Sequence, residues 1–369
     1  MNAERLHAIV IALQKEIEER DLVSKMQALV KALRLLSQQA HPSHQQSLAT
    51  SLNDFYEAVT DTTSDKFSPA WRQILAEIGG SDLCGAKLKA TVETVILRNQ
   101  MTPAVGLEEL ERVLSRLEEF STALDNAASS LKAFQIGYEQ LAPGECEIGV
   151  LIPRRAVKNQ LTGFADELQE IGLILRTFSE VATGKPDDLV IRTISSTDLL
   201  VYLQAGVPYA ACVALAIERI VELYKKLLDI RKLRLEMAKL GVPERNVTEV
   251  GDFANALMEE GIAKVTVEIM QKYHKGKDGE RKNELANAVS ISLNKIANRI
   301  DAGFNLEVRV EPLGEADQSA AKEETKQGVA TIMAATSKME FLKLEGPPVL
   351  RLPEGKNKPK KKGTGGPDG

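Results

Sequence analysis

Leu110, Leu117, Leu124 and Leu131 recur every seven residues, and Val113, Phe120, Ala127 and Phe134 follow each of them by three. Four heptads without a miss predict a helix of about 28 residues, about 42 Å long at 1.5 Å per residue. The positions beside the seam (Leu114, Ser121 and Ala128; Arg116, Ala123 and Ser130) are mostly small or apolar. A free two-stranded coiled coil usually carries charges there, so the wider apolar face predicts the spine of a helical bundle. Dimerisation through this seam is the alternative.

Other stretches show the same periodicity. Leu6, Ile9, Val10, Leu13 and Ile17 form one helical face, and Leu22, Met26, Leu29, Leu33 and Leu36 a second. The two do not join on one stripe, so the charged run Glu18–Asp21 is a turn or a phase slip. His41-Pro42-Ser43-His44 breaks the chain before a helix over Leu48–Val59. Ser68-Pro69 is a helix start, with serine as N-cap and proline in the first turn. Further helices are expected over Leu83–Arg98, Val157–Phe178, Pro208–Leu240, Phe253–Tyr273, Leu285–Ile300 and Gln318–Met333. Helix is therefore expected to exceed about 40% of the chain, against the usual third.

Strands are fewer. Phe304, Leu306, Val308 and Val310 alternate with Asn305, Glu307 and Arg309, the period-two signature of a half-buried strand. Glu147–Ile152, Leu189–Ile194 and Leu199–Leu203 are short apolar runs between turn signals. The fold class that follows is α+β and predominantly helical: an N-terminal helical bundle, then a small mixed or antiparallel sheet packed with long helices. The expected boundaries are 1–140 for the bundle and 145–312 for the α+β domain with a long projecting helix 208–240. Residues 313–369 are expected to be partly helical and then a disordered basic tail, with Gly346–Gly369 mostly disordered.

Leu199–Ile217 carries one polar side chain, Gln204, in 19 residues, close to the length of a membrane span. Gly206 and Pro208 in its middle favour a buried strand, a tight turn and a buried helix instead. The N-terminal stretch lacks the uninterrupted apolar core of a secretory signal. The expectation is a cytoplasmic protein, with membrane action through 199–217 as an alternative.

Composition narrows the chemistry. The net charge is −5 and aromatic residues are 4%, so neither a generally basic nucleic-acid binder nor a base-stacking platform is indicated. Only the tail, with Lys356, Lys358, Lys360, Lys361 and Lys362, offers a patch for nucleic acid or an anionic membrane. Its net charge of about +3 leaves the rest of the chain near −8. Cys84, Cys146 and Cys212 lie far apart, outside any CxxC or nucleophile signature, and Cys146 ahead of its strand is the one expected near the surface. His41 and His44 flank a proline and read as loop histidines rather than a metal pair. No phosphate loop, dinucleotide fingerprint, nucleophile elbow or zinc-protease helix occurs. No catalytic, metal or cofactor residue is assigned, and no cofactor is expected.

Two local sites remain. Arg154 and Arg155 follow a strand end and precede a helix, where an anion can meet helix N-terminal amides. Ser195, Ser196, Thr197 and Asp198 cluster hydroxyls between two strands, as turn residues or as part of an enzyme site shared with the arginines. The outer half of helix 208–240 exposes Leu227, Ile230, Leu233 and Leu235 with no evident cover, which marks them as an interface for a second copy or a protein partner.

The block Leu189–Leu240, a strand pair around Ser-Ser-Thr-Asp followed by an apolar, proline-started helix that turns charged, resembles uncharacterised bacterial α+β proteins associated with anti-phage conflict systems. The resemblance spans about 50 residues, carries no catalytic residue, and implies a bacterial defence setting. The expected function is a non-enzymatic scaffold or sensor acting through helical surfaces.

Overall fold

The computed structural model describes residues 3–138, 140–195, 199–242, 244–276 and 279–355. Among them the chain forms 13 α-helices and four strands, and helix reaches 68%. The fold is predominantly helical α+β with a small antiparallel sheet.

The N-terminal helices follow their apolar stripes. α1 (Ala3–Glu19) and α2 (Leu22–Gln38) are separated by a turn in which Asp21 adopts a left-handed φ of 51°. That turn resets the stripe, and aspartate tolerates the conformation better than most side chains. α3 (Pro42–Ala58) begins at the break itself, earlier than Leu48. Pro42 fills the first turn and the His41 ring accepts the Ser43 N–H at 3.3 Å. His44 is therefore helical rather than in a loop. In α4 (Pro69–Glu77) the Ser68 hydroxyl caps the Trp71 N–H. α5 (Gly85–Arg98) follows.

α6 (Pro103–Ala133) is the heptad helix, and it lies against α1, α2 and α5. Leu110, Val113, Leu117, Phe120 and Leu124 are buried, but Phe134 is 75% exposed and Ala128 replaces Ala127 in the core. A straight helix drifts by about 20° per heptad, so the fourth heptad rotates off the face. The seam is thus filled within the chain.

β1 (Cys146–Ile152), β2 (Val190–Ile194), β3 (Leu199–Ala205) and β4 (Asn305–Val310) pair antiparallel in the order β2-β3-β1-β4. α7 (Leu161–Thr183) lies between β1 and β2 and ends at Gly184, whose φ is +82°. It starts later than Val157, because Lys158 and Asn159 hold left-handed φ values of 53° and 52°.

Leu199–Ile217 resolves into β3 and the first part of α8 (Val207–Lys225), and no described helix is long and apolar enough to cross a membrane. The single helix predicted over 208–240 is two. Leu227 N–H bonds to Tyr224 O, three residues back, and this tightening ends α8 before α9 (Leu228–Lys239). α10 (Glu244–Tyr273), α11 (Gly279–Asp301), α12 (Glu315–Ala320) and α13 (Glu323–Lys338) complete the helices. The last two replace the single helix expected over Gln318–Met333, because Ala321 is extended between them.

The chain divides into two compact units, each built from three segments. A sheet unit comprises 1–154, 189–218 and 305–342, and a helical unit comprises 155–188, 219–304 and 343–369. The N-terminal helices and the four strands, assigned to separate domains by the sequence, therefore share one unit. The units interleave because β1 must pair with β4, far down the chain.

In the sheet unit one face of the sheet is apolar, with Ile148, Val150, Val201 and Val308 buried. The opposite face is polar and equally buried. Glu147 and Gly149 face it from β1, Tyr202 from β3, and Glu307 and Arg309 from β4. Gly149 makes room for this arrangement. A Cβ there would lie 2.7 Å from Tyr202 Cε1 and 3.0 Å from Glu307 Cγ. Gly149→Ala is expected to destabilise the unit by about 1–3 kcal/mol through overpacking, read as a lower urea midpoint. A midpoint equal to wild type would show that the Tyr202 ring moves freely.

Candidate functional site

The Pro- and Gly-rich segment after α13 is not disordered where it is described. Residues 343–355 form neither helix nor strand and belong to the helical unit, with Val349, Leu350 and Leu352 buried. Side chains from three helices bind their backbone. From α9, Arg231 donates to the carbonyls of Glu345 and Gly346, and Arg234 to that of Pro348. From α11, Asp301 Oδ2 accepts the N–H groups of Val349 and Leu350, both at 2.7 Å. Asn298 accepts Leu352 N–H and donates to Leu352 O, each at 3.0 Å. Asn294 donates to Pro353 O at 2.9 Å, and Asn255 of α10 accepts Arg351 N–H at 2.8 Å.

The sequence builds this groove locally. Asn294, Asn298 and Asp301 are spaced i, i+4, i+7, one stripe of α11. Val289, Leu293, Ile296 and Ile300 form its buried stripe. Lys295 and Arg299 form a third, paired with Glu170 and Glu167 of α7. The groove is anchored by a buried triad. Arg231 Nη1 donates to Asp301 Oδ1 at 2.7 Å and to Tyr224 Oη at 2.8 Å, and the Tyr224 hydroxyl donates to the same Asp301 oxygen. Burial and the neighbouring Asp301 push the Tyr224 hydroxyl well above its ordinary pKa, so it stays a donor.

A segment read this way is recognised by its backbone, with pockets for alternate apolar side chains adding selectivity. Gly346 turns the strap with a φ of +78°, and a Cβ there would sit 3.2 Å from Leu235 Cβ. This changes the stripe proposed as an interface. Leu227 is fully buried and belongs to the core of the helical unit. Ile230 and Leu235 are half-buried, the latter against the strap, and Leu233 is 50% exposed. At Leu235 the cover is the chain's own C-terminal segment.

The sheet unit holds a second polar assembly, on the buried polar face. Arg5 of α1 clamps Glu147 with two N–H bonds of 2.9 and 3.1 Å, and Arg309 adds a third at 3.0 Å. The Arg5 guanidinium lies 3.2 Å from the centroid of the Tyr202 ring. Glu307 accepts the Ala70 N–H at 2.9 Å and the Tyr202 hydroxyl at 3.1 Å. The two carboxyls diverge. Burial alone would raise Glu147, but Arg309 and Arg5 outweigh it and hold it below the usual carboxylate range. Burial, with repulsion from Glu147, pushes Glu307 up. Divided carboxyls are the pattern of an acid–base pair, but the cavity beside Arg5 and Tyr202 is only about 70 Å³. That admits water and not a substrate, so the assembly is a structural core network.

Ser195 lines that small cavity and its N–H bonds to Leu200 O at 2.9 Å, while Ser196, Thr197 and Asp198 lie outside the described residues. Arg154 and Arg155 sit exposed in the turn 154–159. Arg154 ends a segment of the sheet unit and Arg155 begins one of the helical unit. α7 starts only at Leu161, so its N-terminal amides are displaced from both arginines along the chain, and Arg155 is engaged with Ala302 O. All three cysteines are buried, Cys146 included, and burial pushes its thiol up to about 12. Among the described residues no cluster of metal-ligating side chains occurs. The lysines of the tail lie outside the described residues.

No family model, curated protein or solved structure matches this chain.

Proposed function

We propose that the protein is a non-enzymatic interaction protein whose helical unit binds extended peptide, with its own residues 343–355 occupying the groove as a resident ligand. One observation carries this reading: six polar side chains on α9, α10 and α11 address the backbone groups of a single segment that is neither helix nor strand. Packing alone would bury Val349, Leu350 and Leu352. Their burial also takes the neighbouring peptide groups out of water, and the side chains that satisfy those groups would stay behind, with bonding capacity for another backbone, when the segment leaves. A competing peptide would need an extended backbone and apolar residues at the spacing of these three. Displacing the strap would also uncover Leu235, which makes it a conditional surface for a protein partner or a second copy. The resemblance of Leu189–Leu240 to proteins of anti-phage systems supports placing this activity in bacterial defence.

The test is binding in trans. In the Val349→Asp/Leu352→Asp variant the strap is expected to leave the groove, because each carboxylate would otherwise be buried unpaired. A labelled peptide with the sequence Lys343–Gly355 is then expected to bind the variant and to be excluded from the wild type, measured by fluorescence anisotropy. A variant with wild-type helix content and no peptide binding would overturn the proposal. Pulldown and light scattering with the same variant test the partner surface.

A further inference from the structure

Backbone bonds alone would let the groove accept any apolar segment, but both ends of the strap also place demands on side chains. At the entry, Arg231 holds the carbonyls of Glu345 and Gly346. Between that clamp and Leu235 the chain turns through the left-handed φ of Gly346, a conformation that a side chain disfavours. A Cβ there would also press on Leu235.

At the exit, Asn298 commits both functions of its amide to the strap. Its oxygen accepts Leu352 N–H, and its nitrogen donates to Leu352 O and to Glu354 Oε1, the latter at 2.7 Å. An amide nitrogen carries two hydrogens, so the residue at 354 must bring an acceptor to use the second. Arg299 Nη1 lies 3.8 Å from Glu354 Oε2, on a side chain that is 10% exposed. Arg299 is shared with Glu167, so it tilts the choice towards a charged acceptor rather than serving Glu354 alone. Between the two ends Val349, Leu350 and Leu352 are buried, while Pro347, Pro348, Arg351 and Pro353 are exposed. Glu345 is the contrast to Glu354: its side chain is exposed, and the groove holds it through its carbonyl.

We propose that the groove selects partner segments in which a glycine stands three residues ahead of an apolar pair, a third apolar residue stands two beyond that pair, and a glutamate follows two residues later. The positions correspond to Gly346, Val349 and Leu350, Leu352, and Glu354. This rests on the reading that the groove binds peptide in trans, and adds which peptide. A segment with an apolar residue in place of the glutamate leaves the second Asn298 N–H facing no acceptor.

Labelled peptides spanning 343–355 are titrated by anisotropy against the full-length Val349→Asp/Leu352→Asp variant. Glu354→Ala and Glu345→Ala remove the same charge from the same peptide, so their ratio isolates position from net charge. Glu354→Ala is expected to bind at least about fivefold more weakly than Glu345→Ala, with Glu354→Gln, which keeps an acceptor oxygen, between them. Added salt is expected to narrow the gap between the parent peptide and Glu354→Gln. Gly346→Ala is expected to weaken binding at least about fivefold, through the left-handed φ. Hydrogen exchange at Leu350 and Leu352 repeats the comparison with the strap in place, in full-length chains carrying Glu354→Ala or Glu345→Ala alone. It is expected to run at least about threefold faster in Glu354→Ala. Failure of the parent peptide to bind a folded Val349→Asp/Leu352→Asp variant overturns the groove reading and this proposal with it. Equal affinities of the Glu354→Ala and Glu345→Ala peptides, or equal exchange in the two chains, overturn the selectivity and leave that reading standing.

Discussion

Replacing Glu147 by alanine is expected to destabilise the sheet unit by about 3–5 kcal/mol, the usual loss when one member of a buried ionic cluster is removed. Glu147 is fully buried, and the Arg5 side chain that clamps it is 3% exposed. Without the carboxylate, Arg5 and Arg309 stay in the interior and lose the three hydrogen bonds that its two oxygens accept. Urea unfolding followed through Trp71, which lies in the same unit, measures the loss. A change below about 1 kcal/mol would mean that both guanidiniums reach water when the carboxylate is gone.

The pH response separates the two buried carboxyls. Glu147 has a lowered folded pKa. Its stabilising contribution is complete above the unfolded value near 4.5 and is lost as pH falls through the folded value. Glu307 has a raised folded pKa, so it favours the fold at low pH and opposes it as pH rises through that value. Glu307→Gln is therefore expected to gain on the wild type steadily from pH 4.5 towards neutrality, in urea midpoints taken across that range. A gap that shrinks as pH rises would assign the raised value to another group.

The second large effect is expected at Asp301. Asp301→Ala removes the only carboxylate bonded to Arg231 among the described residues and the acceptor of two strap amides. The loss is expected at about 3–5 kcal/mol, with Arg231, 2% exposed, deprived of the carboxylate it is bonded to. It should fall first on the strap. Hydrogen exchange at Val349 and Leu350 and proteolysis within 343–355 are expected to accelerate before the helices melt. Asn298→Ala, which removes the two bonds to Leu352 and one to the Glu354 carboxylate but strands no buried charge, should cost less, about 1–2 kcal/mol. Strap amides as protected in Asp301→Ala as in the wild type would show that apolar burial alone holds the segment.

What could be read from the chain was what its neighbours in sequence decide. Ser68-Pro69 opens a helix because the hydroxyl and the N–H it caps are three residues apart. The alternation at Phe304–Val310 and the first three heptads of α6 show the same locality. Glu147 was invisible for the opposite reason. It sits in an apolar run, and the arginines that make its burial tolerable are 142 and 162 residues away. The strap was misread by composition, since its prolines and glycines carry no pattern of their own and its order comes from side chains on α9, α10 and α11. A trace of it was present in the Asn294, Asn298 and Asp301 stripe, polar positions at helical spacing beside a continuous apolar one. Leu227, expected on an exposed outer stripe, is fully buried in the helical unit, so periodicity alone did not tell which side of the helix is covered.

The strand order has a consequence during synthesis. β1 is a central strand whose second neighbour, β4, is encoded about 160 residues later. At 5–20 residues per second, the roughly 100 residues between Ala205 and Asn305 need on the order of 5–20 s to leave the ribosome. Throughout that interval one edge of β1 has no partner and can template a strand from another nascent chain. Crowded polysomes and strong overexpression are thus the conditions under which this protein is most exposed to aggregation, and slower initiation or a chaperone that shields strand edges is the remedy its topology calls for. A chain that terminates before Asn305 keeps the bare edge permanently.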